Sequence, residues 1–446
     1  MKKIINTIFF VFIAAAALAA DNHAARDISW FDSWMSQPAA TGDWGGSRDA
    51  LKGKGASVSC NYTTDISGNP AGGLKQTAKF SGFLSLGVAL DLQEIVSIKG
   101  LALKVSNFLA SGRDISAAIG SFYNPQEIYT SGNYYFGELD LSLSVLDDAF
   151  VFEVGRIFAG DIFAVSPFFQ YYLTSAVNGR LAAITSDVFF PHYRTTAWGT
   201  RVTYQPNSDW SLVAGIYDAD TNAGKPNNHG ADFSFDMDEG YLAVAQLTYK
   251  HGHDKDKPGL PGSAAFGAYY ASSRFNDLSD LSKRRHGNSG YYIMADQMIY
   301  KGEWPEHEGP PHMRSGALLA EQRKKPYHQQ TAIPMDRPKG LSAWTGVTLA
   351  PQEHINIQIY EIATGMVYQG LPPNRNRDVT AFCFILGHFS EELAGQSDEM
   401  ILEFNHRFQL GPWFYITPDI QYIINPNGQS NINDALVLGF EASANF

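Results

Sequence analysis

Residues 434–446, DALVLGFEASANF, read as a strand that runs to the last residue of the chain. Leu436, Leu438, Phe440, Ala442, Ala444 and Phe446 share one parity, and Val437, Gly439, Glu441, Ser443 and Asn445 share the other. The first set is apolar and ends on an aromatic; the second is largely polar or small. Successive side chains of a strand point to opposite faces, so this pattern predicts a strand between two different environments.

The pattern recurs upstream. In GELDLSLSVLD, Leu139, Leu141, Leu143 and Val145 alternate with Glu138, Asp140, Ser142 and Ser144. In MILEFNHRFQL, Leu402, Phe404, Phe408 and Leu410 oppose Glu403, Asn405, Arg407 and Gln409. In FYITPDIQYII, Ile416, Ile420 and Tyr422 oppose Thr417, Asp419 and Gln421, and KFSGFLSLGVALDL alternates with Phe83 as its one exception. Soluble sandwiches alternate too, but usually on shorter strands. A tilted strand needs about 9–11 residues to cross a bilayer, and aromatics at strand ends suit its interfaces.

Composition agrees with a β-rich chain. Of 446 residues, 17% are charged, while Gly (41), Tyr (22) and Phe (29) are plentiful. The net charge of −12 gives no footing for a nucleic-acid partner. Lys2 and Lys3, the apolar run to Ala17 and the small residues Ala17 and Ala19 predict a signal peptide over 1–19, cleaved after Ala19 or Ala20. Losing those two lysines takes the charge from −12 to −14. No later window has the ~20 apolar residues of a membrane helix. Cys60 and Cys383 are far apart in alternating runs, which reads as two apolar strand residues or one bridge, not a disulfide framework.

These features predict an all-β chain, an outer-membrane antiparallel β-barrel of about 16 strands with long extracellular loops. Residues 20–55 form an N-terminal periplasmic segment with a short helix near Ser47–Lys54, and 56–446 form the barrel. Connections such as VLDDAF and QPNSDW are tight, while 218–238, 250–262, 272–288 and 301–340 are long and polar. The expectation is short turns at one end and long loops at the other. A closed barrel has no free edge, so the last strand must pair with the first.

The ordered motifs resemble the carbohydrate-selective porin (OprB) family. TGDWGGSRDALKGKGASVSCNYTTDISGNPAGG (41–73) is similar to that family's GDWGG-x-R segment, helix, first strand and GN-x-x-GG. GRIFAGDIFAVSPFF (155–169), TTAWGTRVTYQPNSDWSLVAGIYDAD (195–220), GYYIMADQMIY (290–300), GLSAWTGVTLAP (340–351) and PWFYITPDIQYIINPNGQSNINDALVLGF (412–440) follow in family order. The chain departs in a longer 301–340 connection and in Gly160-Asp161-Ile162-Phe163, where the family has a second acid. The resemblance implies a porin of the bacterial outer membrane, set in its lipid, that passes small sugars passively. It admits a homotrimer, common among porins. Phe446 resembles the terminal signal read by the barrel assembly machinery.

Sugar hydroxyls need hydrogen-bonding side chains, and the apolar sugar face stacks on aromatics. In EVGRIFAGD, Glu153, Arg156 and Asp161 stand close in sequence. An Arg fork beside a carboxylate suits vicinal diols, and the alternative is an ion pair that stiffens the wall. Arg201 shares a parity with Gly199 and Thr203 and should point inward, whereas Trp198 has the parity of a lipid-interface anchor. Arg113 and Arg180 are loop candidates for the mouth, or plain solvated charges. His251-Gly252-His253-Asp254 lacks a third fixed metal ligand. No nucleophile elbow, P-loop or HExxH occurs, so neither enzyme chemistry nor a cofactor is expected. The rival readings are a general or ion-selective porin, a barrel enzyme and a soluble lectin-like sandwich.

Overall fold

The computed structural model describes residues 29–129, 134–253, 259–302 and 339–446. Sixteen antiparallel strands close into one barrel. They are β1 (Ala56–Ala71), β2 (Ala78–Asp91), β3 (Leu101–Gly112), β4 (Tyr134–Val145), β5 (Phe150–Ile157) and β6 (Ala197–Tyr204). Next come β7 (Trp210–Asp218), β8 (Tyr241–His251), β9 (Gly262–Asn276), β10 (Arg284–Lys301) and β11 (Gly340–Leu349). The last are β12 (Gln358–Gln369), β13 (Val379–Phe389), β14 (Asp398–Gly411), β15 (Phe414–Ile424) and β16 (Ala435–Asn445).

Closure explains why the chain stays extended to its end. β16 pairs with β1 from Asn61↔Asn445 through Asp65↔Glu441 to Gly68↔Leu438. Phe446 N then donates to Cys60 O at 2.8 Å. Neither terminal strand has an unpaired edge, which in hydrocarbon would cost several kcal/mol per lost hydrogen bond, of order the transfer penalty of a bare peptide group.

The outward parity matches the apolar sets read from the sequence. Leu438, Ile420, Phe404 and Leu141 are all exposed on the outer wall, where lipid is their solvent. The start of β1 and the end of β16 lie at the periplasmic end, where turns such as 146–149 and 412–413 are short. Helix α1 (Ser29–Met35) docks there, with Trp34 and Trp413 rings 4.6 Å apart and Ala40 N donating to Asn445 O. Helix α2 (Ser47–Lys52) precedes β1.

The expected separation of long and short connections is corrected in part. In an up-and-down barrel the end is set by strand count, not by length. The 250–262 and 301–340 connections therefore join β8 to β9 and β10 to β11 at the same end as the tight turns. Residues 303–338 of the second lie outside the described residues. Most of 272–288 is strand, since β9 runs to Asn276 and β10 starts at Arg284.

Candidate functional site

The 158–196 connection between β5 and β6 folds into the barrel instead of away from it. Its apolar side chains, among them Phe163, Phe169, Tyr172, Leu181 and Ile184, are fully buried. They pack on inward residues such as Val244, Tyr269, Trp344, Val367 and Cys383. Trp344 Nε1 donates to Tyr172 Oη at 2.9 Å, and Tyr172 Oη to Phe382 O at 3.0 Å. One half of the interior, along β8–β13, is thus filled by the loop's apolar side chains. Both cysteines are free: Cys383 belongs to that core, and Cys60 faces outward from β1.

Carboxylates of the wall hold the inward loops by their backbone. Glu403 accepts from Leu173 N (2.8 Å) and Thr174 N (3.0 Å), and Glu361 from Ala183 N (2.7 Å). Glu399 accepts from Phe122 N and Tyr123 N, at 2.7 and 3.0 Å, seating the 113–129 segment. In return the loop's Asp187 accepts from Ile357 N and Gln358 N, at 2.8 and 3.1 Å, at the start of β12. Burial pushes the Asp187 carboxyl up to about 7, against these hydrogen bonds, which pull it down.

The other half of the interior, along β14–β16 and β1–β6, is polar. Arg201, on β6, stands at one edge of it. Nε and Nη2 donate to Glu153 at 2.7 and 2.8 Å, Nη1 and Nη2 to Asp161 at 2.6 and 3.3 Å, and Nη1 to Phe158 O at 2.9 Å. An Arg has five N–H groups, and all of them are engaged. The side chain therefore clamps the base of the inward loop to β5 and has no donor left over for a passing solute. The inward Phe83, the exception in its strand, stacks on Phe108 at 5.2 Å beside Tyr193 and Phe158, where that loop joins the wall.

Next to the clamp, the Lys104 ammonium is 3.2 Å from Asp140 and 3.9 Å from Glu138. Further round the same wall, on β14, Arg407 lies over the rings of Tyr415 (4.0 Å) and Tyr171 (4.9 Å), and Tyr415 Oη donates to Glu441 at 2.9 Å. Between them run groups whose hydrogen-bonding capacity is not met by protein. Both carboxylate oxygens of Asp65, both amide atoms of Gln126, Asp419 Oδ1 and Gln421 Oε1 have no hydrogen-bond partner among the described residues. Buried polar atoms are nearly always satisfied, so this row is a set of buried hydrogen-bonding groups whose capacity the chain does not meet. Gln421 Nε2 donates to Asp419 (2.9 Å) and to Pro125 O (3.1 Å), tying β15 to the 113–129 segment.

Of the residues singled out from the sequence, Glu153, Asp161 and Arg201 come together. Arg180 is in the inward loop, paired with Glu127 at 3.1 Å. Burial raises the Glu127 carboxyl, with Arg180 opposing it, and burial followed by Arg180 drives His192 well below its usual range. Arg113 is exposed just past β3. Arg156 is a correction: it is not in the lumen. It pairs with Trp198 on the outward face, where Nη2 donates to Thr196 O at 2.9 Å, Nη1 to Asp232 O, and its guanidinium lies 5.3 Å from the Phe233 ring. The 219–240 connection covers it there. Asp65, which in DISGNPAGG reads as turn chemistry at the end of the first strand, instead lies within β1 and faces inward; Lys104, Glu138, Asp140, Asp419 and Gln421 are not singled out by the sequence, although every one has inward parity.

Comparisons with known proteins agree with this architecture. The family model described as carbohydrate-selective porin, OprB family, matches residues 75–446. The chain is 24% identical over 451 residues to "Putative porin QuiX" of Acinetobacter baylyi, covering 97% of this chain and 98% of that protein. It is 22% identical over 477 residues to Porin B of Pseudomonas aeruginosa, covering 97% and 96%. The high pH structure of Pseudomonas putida OprB has a TM-score of 0.79 at 21% identity, covering 92% of this chain and 99% of that one.

Proposed function

The chain belongs to the carbohydrate-selective porin (OprB) family, and on that premise we propose that sugars cross its lumen along the polar half, over the row Asp65, Gln126, Asp419 and Gln421. It is a porin of the bacterial outer membrane, and carbohydrates are what its family passes. The observation that carries the finer reading is the unmet hydrogen-bonding capacity of that row. A sugar hydroxyl both donates and accepts. Asp65 and Asp419 accept the hydrogen bond that its O–H donates, the Gln126 amide serves either role, and Lys104 and Arg407 stand at the sides. The Tyr171–Arg407–Tyr415 stack offers a flat face for the apolar side of a pyranose ring. Arg201, Glu153 and Asp161 act by holding the inward loop, so they set the width of the path and do not touch the sugar.

The same reading makes Phe446 the signal for the barrel assembly machinery and 1–19 a leader removed on export. A homotrimer embedded in outer-membrane lipid is the assembly it admits.

Liposome swelling with refolded protein tests the site. Sugars should swell the liposomes faster than neutral solutes of matched size, and Asp65→Ala with Asp419→Ala should narrow that difference while the barrel still folds. Because acids outnumber bases in the row, a general or cation-selective pore is the competing outcome. Rates that follow solute size alone, unchanged in the double variant, would establish it.

A further inference from the structure

One apolar groove lies outside the transport path, on the outer wall near the periplasmic rim. Val58 of β1, Leu86 and Val88 of β2 and Val105 of β3 form its floor, and Trp44 and Phe446 close it, around about 350 Å³. That volume is in the range of small-molecule sites. The floor residues have outward parity, so the medium they meet is lipid and not channel water.

Trp44 is held over this groove by a backbone that few residues adopt. Gly42, Trp44, Gly45 and Gly46 have φ of 66, 57, 65 and 85°. A bulky residue in the left-handed region is an outlier. It is fixed there: Trp44 Nε1 donates to Thr41 Oγ1 at 3.0 Å and Gly45 N to Asp43 Oδ1 at 3.1 Å. The indole nevertheless stays 45% exposed. The fold thus places a large apolar side chain at a membrane rim without burying it in protein.

Positive charge stands at the mouth. The Arg48 guanidinium is 4.3 Å from the Trp44 ring centre. Its side chain makes one hydrogen bond among the described residues, from Nη2 to Thr41 Oγ1 at 3.1 Å, and Nε has no partner. Lys52 and Lys54 follow on α2 and just after it, and none of the three makes an ion pair among the described residues. A second copy of the chain laid on this wall would need the apolar floor but not the cations. An apolar groove with the Arg48 guanidinium beside its Trp44 wall complements a phospholipid, which joins an acyl chain to a phosphate.

We propose that the groove binds one anionic phospholipid of the periplasmic leaflet. Its acyl chain lies on the Val58–Val105 floor under Trp44, and its phosphate meets Arg48, with Lys52 and Lys54 nearby. The site rests on the membrane placement of the barrel and is independent of which solutes cross the lumen.

Native mass spectrometry of the mature protein, released from nanodiscs of mixed phosphatidylethanolamine and phosphatidylglycerol, tests this. Wild type and Trp44→Phe should retain one phosphatidylglycerol per chain in preference to phosphatidylethanolamine. Trp44→Ala and Arg48→Gln should retain at least about fivefold less, with unboiled gel mobility and sugar swelling unchanged. Arg48→Gln carries the test alone if Trp44→Ala does not fold. Equal retention across all variants, or no preference between the two lipids, would mean annular lipid only and overturn the proposal. So would a lipid-free multimer, in which a second copy covers the wall.

Discussion

Arg156 and Arg201 sit in adjacent strands and have opposite fates, and the reason is parity. Residues three apart share a face on a helix but not on a strand, so Glu153 facing inward sends Arg156 outward. Arg201, directly opposite Glu153 in the register, must point in. The inward position of Arg201 was legible in the sequence for this reason, and the same rule, applied to Arg156, would have removed it from the lumen. What parity could not tell is that all five N–H groups of Arg201 are consumed. Removing one partner of a buried ion pair leaves the other charged and unpaired, which costs about 3–5 kcal/mol. Arg201→Ala should therefore lower the unfolding temperature and change sugar swelling rates, because Glu153 and Asp161 are left facing each other and the loop base loosens. Arg201→Lys should rescue little, since one ammonium cannot reach five acceptor positions in a plane. Arg156→Ala should leave swelling at the wild-type rate. A drop in flux there would return Arg156 to the transport path.

The strands were readable because two solvents, lipid and water, impose the period of two. The 158–196 connection was not, because its partner is neither. Its apolar residues pack on inward apolar rows of β8–β13, so Cys383 and Ile385 face inward although they are as apolar as the outward residues beside them. The signal was present in AVSPFFQYYL, an apolar stretch without alternation inside a long connection. Glu403 could be placed inward by parity, yet nothing local says that it captures the backbone of residues 173 and 174. Hydrogen bonds to a charged group are worth roughly 1.5–3 kcal/mol each. Glu403→Ala should thus free the middle of the loop, and swelling assays should show larger oligosaccharides entering than in wild type. Asp187 gives the same element a pH dependence. Its folded value of about 7 lies above the ordinary carboxylate range. Its contribution to seating the loop is then complete below about pH 4 and is lost as pH rises through about 7. Single-channel recordings from pH 4 to 8 should show loop-linked current noise growing across that window in wild type. Asp187→Asn, which cannot ionise, should lack that component, and identical profiles for the two proteins would assign the pH dependence elsewhere.

At the scale of the whole molecule, the division of the interior follows from these elements together: one half is filled by the inward loop, and the other is lined by polar side chains. The expectation of about 16 strands meets the sixteen observed, and among the described residues no helix is long and apolar enough to cross a membrane, which leaves strand closure as the way across. The final residue then has two separable roles. As backbone, Phe446 adds one hydrogen bond to the seam through Cys60 O. As a side chain, it is a half-buried aromatic at the periplasmic rim that lines one groove with Trp44. Only the side chain is lost in Phe446→Ala, so the seam survives. Purified Phe446→Ala should refold in detergent to the same heat-modifiable barrel in similar yield. On the proposed reading of Phe446 as the assembly signal, the amount of folded barrel in the outer membrane of cells should fall several-fold. Gel mobility of unboiled samples from both preparations separates the roles. A matching loss in the test tube would make the ring a stabilising contact of the seam, and no loss in cells would place the assembly signal elsewhere in β16.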